Sequence, residues 1–274
     1  MTYSILLIGA TGAIGSRIAT NLFKHRDQFK RVAFLTATAD GGPEKEARYK
    51  AVPLPRLVGS LEDPSSYHGG VKHFYPAEYG MDLSRPEPQG ESFFVHKLNV
   101  RKHLEDIVSR DSSKGFTYIM VGMWSNWMLS YNIFGLSGDK KSATFLGAPD
   151  TIITTTHADD VASVVALSLL PSHLKSLSDR RRIRLAGSTL TVSEYFSVLS
   201  KVLGHDIKVE YTSKEASYAI EQEHKEKGNT LMYILSPLLR ALGFGGSVLE
   251  GVDNNSYPEL KVKSFEEVAK STFA

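Results

Sequence analysis

An α/β fold built on a parallel sheet is predicted by three features at the start of the chain. The apolar run Ser4–Ile8 leads straight into Gly9-Ala-Thr-Gly-Ala-Ile-Gly15, a helical pattern follows over residues 14–23, and a second apolar run, Arg31–Thr36, comes after it. Strand, glycine turn, helix and strand at this spacing form a crossover unit, and crossovers lay their strands parallel. The expected architecture is therefore a Rossmann-like parallel sheet with helices on both faces and a smaller C-terminal α/β substrate lobe. Residues 1–156 would make the dinucleotide-binding domain and residues 157–274 a mixed region that includes the lobe.

The turn carries the first chemistry. Gly9, Gly12 and Gly15 let backbone approach a pyrophosphate closely, and the helix that follows aims its free N–H groups and positive end at it. Gly9, Thr11, Gly12, Ala13, Ile14 and Gly15 are the candidate cofactor-binding residues. The second strand ends in Thr36-Ala-Thr38, with no carboxylate before Asp40 and with Lys45 and Arg48 beyond. An acidic side chain there would bind a ribose 2′-hydroxyl, whereas a hydroxyl or basic one suits a 2′-phosphate, so the tip favours NADP(H) over NAD, with Thr36 beside the phosphate.

Further elements follow in order. A third strand is expected within residues 51–58, weakened by Pro53 and Pro55, and another over residues 71–75, ended by Pro76. Residues 59–70 between them contain Pro64 and the pair Gly69-Gly70, and are near the minimum for one crossover, leaving no room for an additional strand and helix. A helix is expected over residues 90–109, strands over 116–121 and 150–156, and a helix over 161–170 capped by Asp159 or Asp160. The lobe would hold a strand from Ile183, a helix over 193–203, a strand over 207–211 and a helical region over 218–242. Residues 231–242 are apolar almost all round, which suits a lid over a cleft, an interface or plain core packing.

Composition narrows the class. The chain has 274 residues, 42% hydrophobic and 23% charged, with a net charge of +2, which is no electrostatic footprint for nucleic acid. The run Arg180–Arg184 reads as a solvated loop and strand edge. Cysteine is absent, excluding disulfides and thiolate catalysis. No apolar run reaches membrane-helix length and no leader is evident, so a cytoplasmic enzyme without membrane contact is expected. No metal site is expected.

Taken together, these residues resemble a family: the atypical short-chain dehydrogenase/reductases that include the NmrA-like proteins and the plant isoflavone, pinoresinol-lariciresinol and phenylcoumaran benzylic ether reductases, with fungal NmrA-like proteins most similar. Gly9 to Gly15, Gly70-Val-Lys-His-Phe-Tyr-Pro-Ala-Glu-Tyr-Gly-Met-Asp82, Lys97 with Arg101 downstream, Phe116-Thr-Tyr-Ile-Met-Val-Gly122 and Tyr257-Pro-Glu-Leu-Lys-Val-Lys263 carry the likeness. The resemblance implies that Lys97 is catalytic and contacts the nicotinamide ribose. Standard short-chain dehydrogenases place a tyrosine four residues earlier; here Phe93 stands there, so Lys97 would hold the ribose hydroxyls or, with its pKa lowered by burial, move a proton. His96 reads as surface or packing. It implies also that Met123, Trp124 and Trp127 line a substrate pocket, with Met128 and Tyr131 nearby; two tryptophans suit a flat aromatic or apolar substrate, and core packing explains them equally well.

Relatives carry a further strand and helix between the region of Tyr67-His68 and the strand opening at Val71. An internal deletion near residues 68–71 is thus implied, with loss of that strand's cofactor contacts, leaving either a damaged protein or a sheet closed over the gap. The expected function is NADP(H)-dependent reduction of an apolar or aromatic small molecule. The alternatives are a dinucleotide-binding redox regulator without catalysis and an inactive deletion variant; a homodimer or a regulatory protein partner is also left open.

Overall fold

The computed structural model of the protein describes residues 2–37, 42–60 and 70–273. The first part of the chain forms β1 (Ser4–Ile8), α1 (Ala13–Lys24), β2 (Arg31–Thr36), α2 (Gly42–Lys50), β3 (Arg56–Val58), β4 (His73–Phe74), α3 (Pro86–Gln89), α4 (Val95–Arg110) and β5 (Gly115–Met120). Then come β6 (Met123–Trp124), α5 (Ser125–Ser130), β7 (Ser142–Leu146), β8 (Ile152–Thr156), α6 (Ala158–Ser168), β9 (Arg180–Arg184) and β10 (Ser188–Thr191). The last are α7 (Val192–Leu203), β11 (Lys208–Thr212), α8 (Lys214–Glu226), α9 (Thr230–Gly243) and α10 (Phe265–Phe273). The fold is the Rossmann-like α/β class that the strand, turn and helix spacing predicts. Two compact units make it up, and the chain passes between them more than once: Met1–Phe74, Asp111–Thr117 and Asp159–Arg181 form the first, the remaining segments the second.

In the first unit β2 lies between β1 and β3, all parallel, with Ser4 opposite Arg31 and Thr36 opposite Val58. β2 is buried from Val32 to Thr36, the pattern of a strand covered on both faces. By contrast β1 is paired only with β2 among the described residues, and Leu6 and Ile8 remain 39% and 47% exposed although every residue after Ser4 is apolar. A separate sheet has the order β4-β5-β9. Within this unit the Tyr3 hydroxyl donates to the Leu169 carbonyl, and Arg181 donates to the carbonyls of Ser168 and His173 at 3.0 and 3.1 Å. Within the link that leaves no room for another strand, residues 61–69 lie outside the described residues.

Several boundaries differ from the sequence expectation for identifiable reasons. Only Arg56–Val58 of residues 51–58 is strand, because Pro53 and Pro55 lack donors, although the Pro55 carbonyl still accepts from Phe34 N at 2.9 Å. α6 starts at Ala158, so Asp159 and Asp160 lie in its first turn rather than before it, and Asn126 Oδ1 accepts from Ala158 N at 3.1 Å. In the basic run, Arg181 and Arg184 are half-buried and hydrogen-bonded to neighbouring elements.

The second unit holds β10-β8-β6, with β8 antiparallel to β10 and parallel to β6, and the parallel pair β7-β11. α7 opens with a reciprocal capping box between Thr191 and Glu194, which satisfies two orphan donors at the helix start. Its buried face joins an aromatic core in which Phe134 lies 4.5 Å from Tyr195 and Tyr195 stacks 4.3 Å from Phe265.

Candidate functional site

The glycine turn of the first unit has the geometry of an anion cradle. Gly9 adopts φ +77°, and Gly12 N donates back to Gly9 O at 3.0 Å to close the turn. The helical ladder of α1 begins with Ser16 N to Gly12 O at 2.9 Å, so the N–H groups of Ala13, Ile14 and Gly15 are the orphan donors of the helix end. Among the described residues no side chain caps them and no carboxylate stands in the first turn, while Gly12 and Ala13 are exposed. Gly15 is different: it is buried, and a Cβ there would lie 2.0 Å from the Gly9 carbonyl oxygen. Its role is to let α1 press against the turn. Bare donors, positive helix end and missing side chains fit a diphosphate.

Thr36, at the end of β2, is buried, and its hydroxyl accepts from Arg56 Nε at 2.9 Å. Arg56 extends from β3, lies 4.1 Å over the Tyr49 ring and contacts both oxygens of Glu46 at 2.9 Å. Lys45 and Arg48 follow the tip in sequence, whereas the cation that reaches Thr36 is Arg56, brought there by the register of β3 against β2.

The second unit gathers Lys97 and Trp124 around one loop. Residues 76–80, between β4 and α3, offer three successive carbonyls. Lys97 Nζ, on the first turn of α4, donates to Glu78 O at 2.8 Å; Trp124 Nε1, on β6, donates to Tyr79 O at 2.7 Å; and Val121 N and Gly122 N donate to Gly80 O at 2.8 and 3.1 Å. Tyr79 sits at φ +24°, an uncommon conformation for a residue with a side chain. The loop is thus held by α4, β6 and the end of β5 together.

Burial pushes the Lys97 ammonium below the usual lysine range; the Glu78 carboxylate opposes that and the Arg101 guanidinium adds to it. Trp124 and Trp127 lie 3.9 Å apart with their planes tilted, and Tyr131 meets Trp127 edge-on at 6.0 Å. Met123, Trp124 and Trp127 are half-buried, Met123 touching the core of the unit, whereas Met128 is fully inside and Tyr131 is 70% exposed. His96, beside Lys97, is exposed.

A cavity of about 130 Å³ opens elsewhere in this unit, lined by Phe134, Phe145, Ile220, His224, Met232 and Leu242 among others; none of the three expected pocket residues lines it. Among the described residues no cluster of His, Asp and Glu could hold a metal, and no helix is long and apolar enough to cross a membrane.

The chain is 25% identical over 221 residues to "Isoflavone reductase homolog IRL" of Zea mays, which covers 77% of this chain and 68% of that protein. A crystal structure of isoflavone reductase superposes with a TM-score of 0.76 at 21% identity, covering 99% of this chain and all of the other. The binary complex of leucoanthocyanidin reductase with NADPH from Vitis vinifera gives a TM-score of 0.74 at 16% identity, covering 98% and 99%. The pattern of the NmrA-like family matches residues 65–235, well over half of the sequence, and the chain belongs to that family.

Proposed function

We propose that the protein is an NADP(H)-dependent reductase acting on an apolar or aromatic small molecule. The observation that carries this reading is the pairing of Lys97 and Trp124 on adjacent carbonyls of one loop: it puts a desolvated amine and an aromatic wall in the same place. The names of the relatives, reductases in each case and one of them bound to NADPH, support it.

In this reading the N–H groups of Ala13, Ile14 and Gly15 hold the pyrophosphate, with Gly9, Thr11 and Gly12 leaving room for it. Thr36 and Arg56 face the 2′-phosphate end. NADPH, when bound, supplies hydride. Lys97, its charge weakened by burial, holds the ribose hydroxyls or delivers a proton to the reduced product. Met123, Trp124 and Trp127 present flat apolar surface to the substrate and keep water from it.

A second reading, a dinucleotide-binding regulator without catalysis, draws on α9, where Leu231 and Ile234 are 67% and 51% exposed and could meet a protein partner. The edge of β1 that no strand of the described residues pairs favours a third, a deletion variant that has lost a strand near residues 68–71 and cofactor binding with it.

Calorimetric titration with NADPH and with NADH tests all three. Saturable NADPH binding, tighter than NADH and abolished by Gly12→Asp, is the expected result. NADPH oxidation with aromatic carbonyl compounds that is lost in Lys97→Ala then supports the reductase, and binding without turnover supports the regulator. A folded protein that binds neither nucleotide overturns both in favour of the deletion variant.

A further inference from the structure

Glu78 does more than offer its carbonyl. Its carboxylate, only 3% exposed as a residue, is gripped by Arg101 through two bonds, Nε to Oε1 at 2.6 Å and Nη2 to Oε2 at 2.5 Å. Arg101 is one helical turn beyond Lys97 on α4, so both side chains leave the same face and reach the same residue, one by its backbone and one by its side chain. A bidentate guanidinium–carboxylate pair fixes orientation as well as position. Around it the bracing continues: Arg101 lies 4.6 Å over the Tyr118 ring and 3.7 Å from Asp82, which is bonded to Ser84 Oγ at 2.6 Å and to Arg184 at 2.8 Å.

We infer that Glu78 and Arg101 are the positioning residues of Lys97, their ion pair locking the peptide whose carbonyl holds the lysine amine. The inference rests on the reductase reading only for its purpose; the geometry belongs to the fold whether or not the protein turns over. A buried ion pair is weak support for stability, since its desolvation offsets much of the attraction. Retaining one here is understood if it sets the place and charge of a third group. The charged groups that face the amine are Glu78 from the loop and Arg101 from its own helix; the first favours the ammonium and the second opposes it.

That opposition yields a test. Competitive acetylation of Lys97 with acetic anhydride across alkaline pH, read by peptide mass spectrometry, reports the amine without needing substrate or cofactor. In Glu78→Gln the labelling midpoint should move down, because the lysine then faces an uncompensated guanidinium. In Arg101→Gln it should move up, and Arg101→Lys should restore it toward the wild-type value. Midpoints that move in the same direction in Glu78→Gln and Arg101→Gln, as simple loosening of the loop would produce, overturn the proposal. Should a lone buried charge unfold either variant, the doubly neutral Glu78→Gln/Arg101→Gln chain decides: a lowered midpoint supports the proposal, and an unchanged one overturns it. NADPH calorimetry on the wild type is independent of these results, so failure of the cofactor reading is told apart from failure of this one.

Discussion

A methyl group on Gly15 would lie 2.0 Å from the carbonyl oxygen of Gly9, far inside any non-bonded contact, so α1 and the turn before it meet through backbone at this point. Gly15→Ala must push the helix off the turn and should cost about 3 kcal/mol. Gly12→Ala meets only Gly9 O, at 3.3 Å, and should cost less than about 1 kcal/mol, as other residue changes at helix starts do. Urea unfolding separates the two. Equal midpoints for Gly15→Ala and wild type would show that the turn is not packed as described.

His73 makes stability depend on pH. Its ring is held neutral in one tautomer: Nδ1 donates to Leu177 O at 3.0 Å, and Nε2 accepts from the Thr117 hydroxyl at 2.8 Å, whose oxygen accepts from Arg181 Nε at 3.1 Å. Burial lowers its pKa from 6.5 to about 4, with Arg181 lowering it further and the Leu177 and Asp179 interactions opposing. The unfolded chain therefore binds the proton first, and the stability tied to neutral His73, complete above pH 6.5, is lost as pH falls toward about 4. His73→Gln should lose less stability than wild type between neutral and mildly acid pH. Parallel losses in urea midpoints would rule the assignment out.

Lys97 and Trp124 should be energetically coupled, because they hold neighbouring peptide groups of one loop. Lys97→Met and Trp124→Phe each keep most of the packed side chain and remove one donor, leaving a carbonyl without its partner at roughly 1 kcal/mol apiece. Groups sharing one network are not additive, and a coupling on the order of 0.5 kcal/mol or more is expected in the double-mutant cycle. Strict additivity would mean that the loop is rigid without either donor.

Some of this arrangement was legible in the residues and some was not, and the division follows physical lines. The β1, α1, β2 unit declares itself, since an apolar run, glycines three apart and a second apolar run are local signals. Residues 218–242 read as one helical region, yet Gly228 and Asn229 divide it, the Asn229 side chain accepting from Met232 N at 3.3 Å to start α9 anew. That cue was present and outweighed by apolar content. The three-carbonyl clamp had no such cue: its acceptors are backbone oxygens, which every residue possesses, and their alignment depends on where α4 and β6 are packed. Arg56 is likewise hidden, because a paired arginine reads as a surface one until its carboxylate is found in space; Arg101 stands out beside Lys97 in the sequence, but its pairing with Glu78 does not.

The edge of β1 offers a last prediction. A parallel strand turns the amides of alternate residues toward opposite neighbours, so with β2 its one partner among the described residues, about half of the donors in Ser4–Ile8 face away from it. Hydrogen exchange should find those amides protected within roughly tenfold of an unfolded chain, while the alternating amides bonded to β2, and those of Val32 to Leu35 in β2 itself, exchange far more slowly. An exposed apolar edge without charge or proline is also prone to pair with another chain, and Ile8→Lys should raise the concentration at which the protein associates while leaving its unfolding midpoint within about 0.5 kcal/mol. Uniform protection along all of β1 in dilute protein would mean that the outer edge is covered, and would remove the open strand as support for a lost segment.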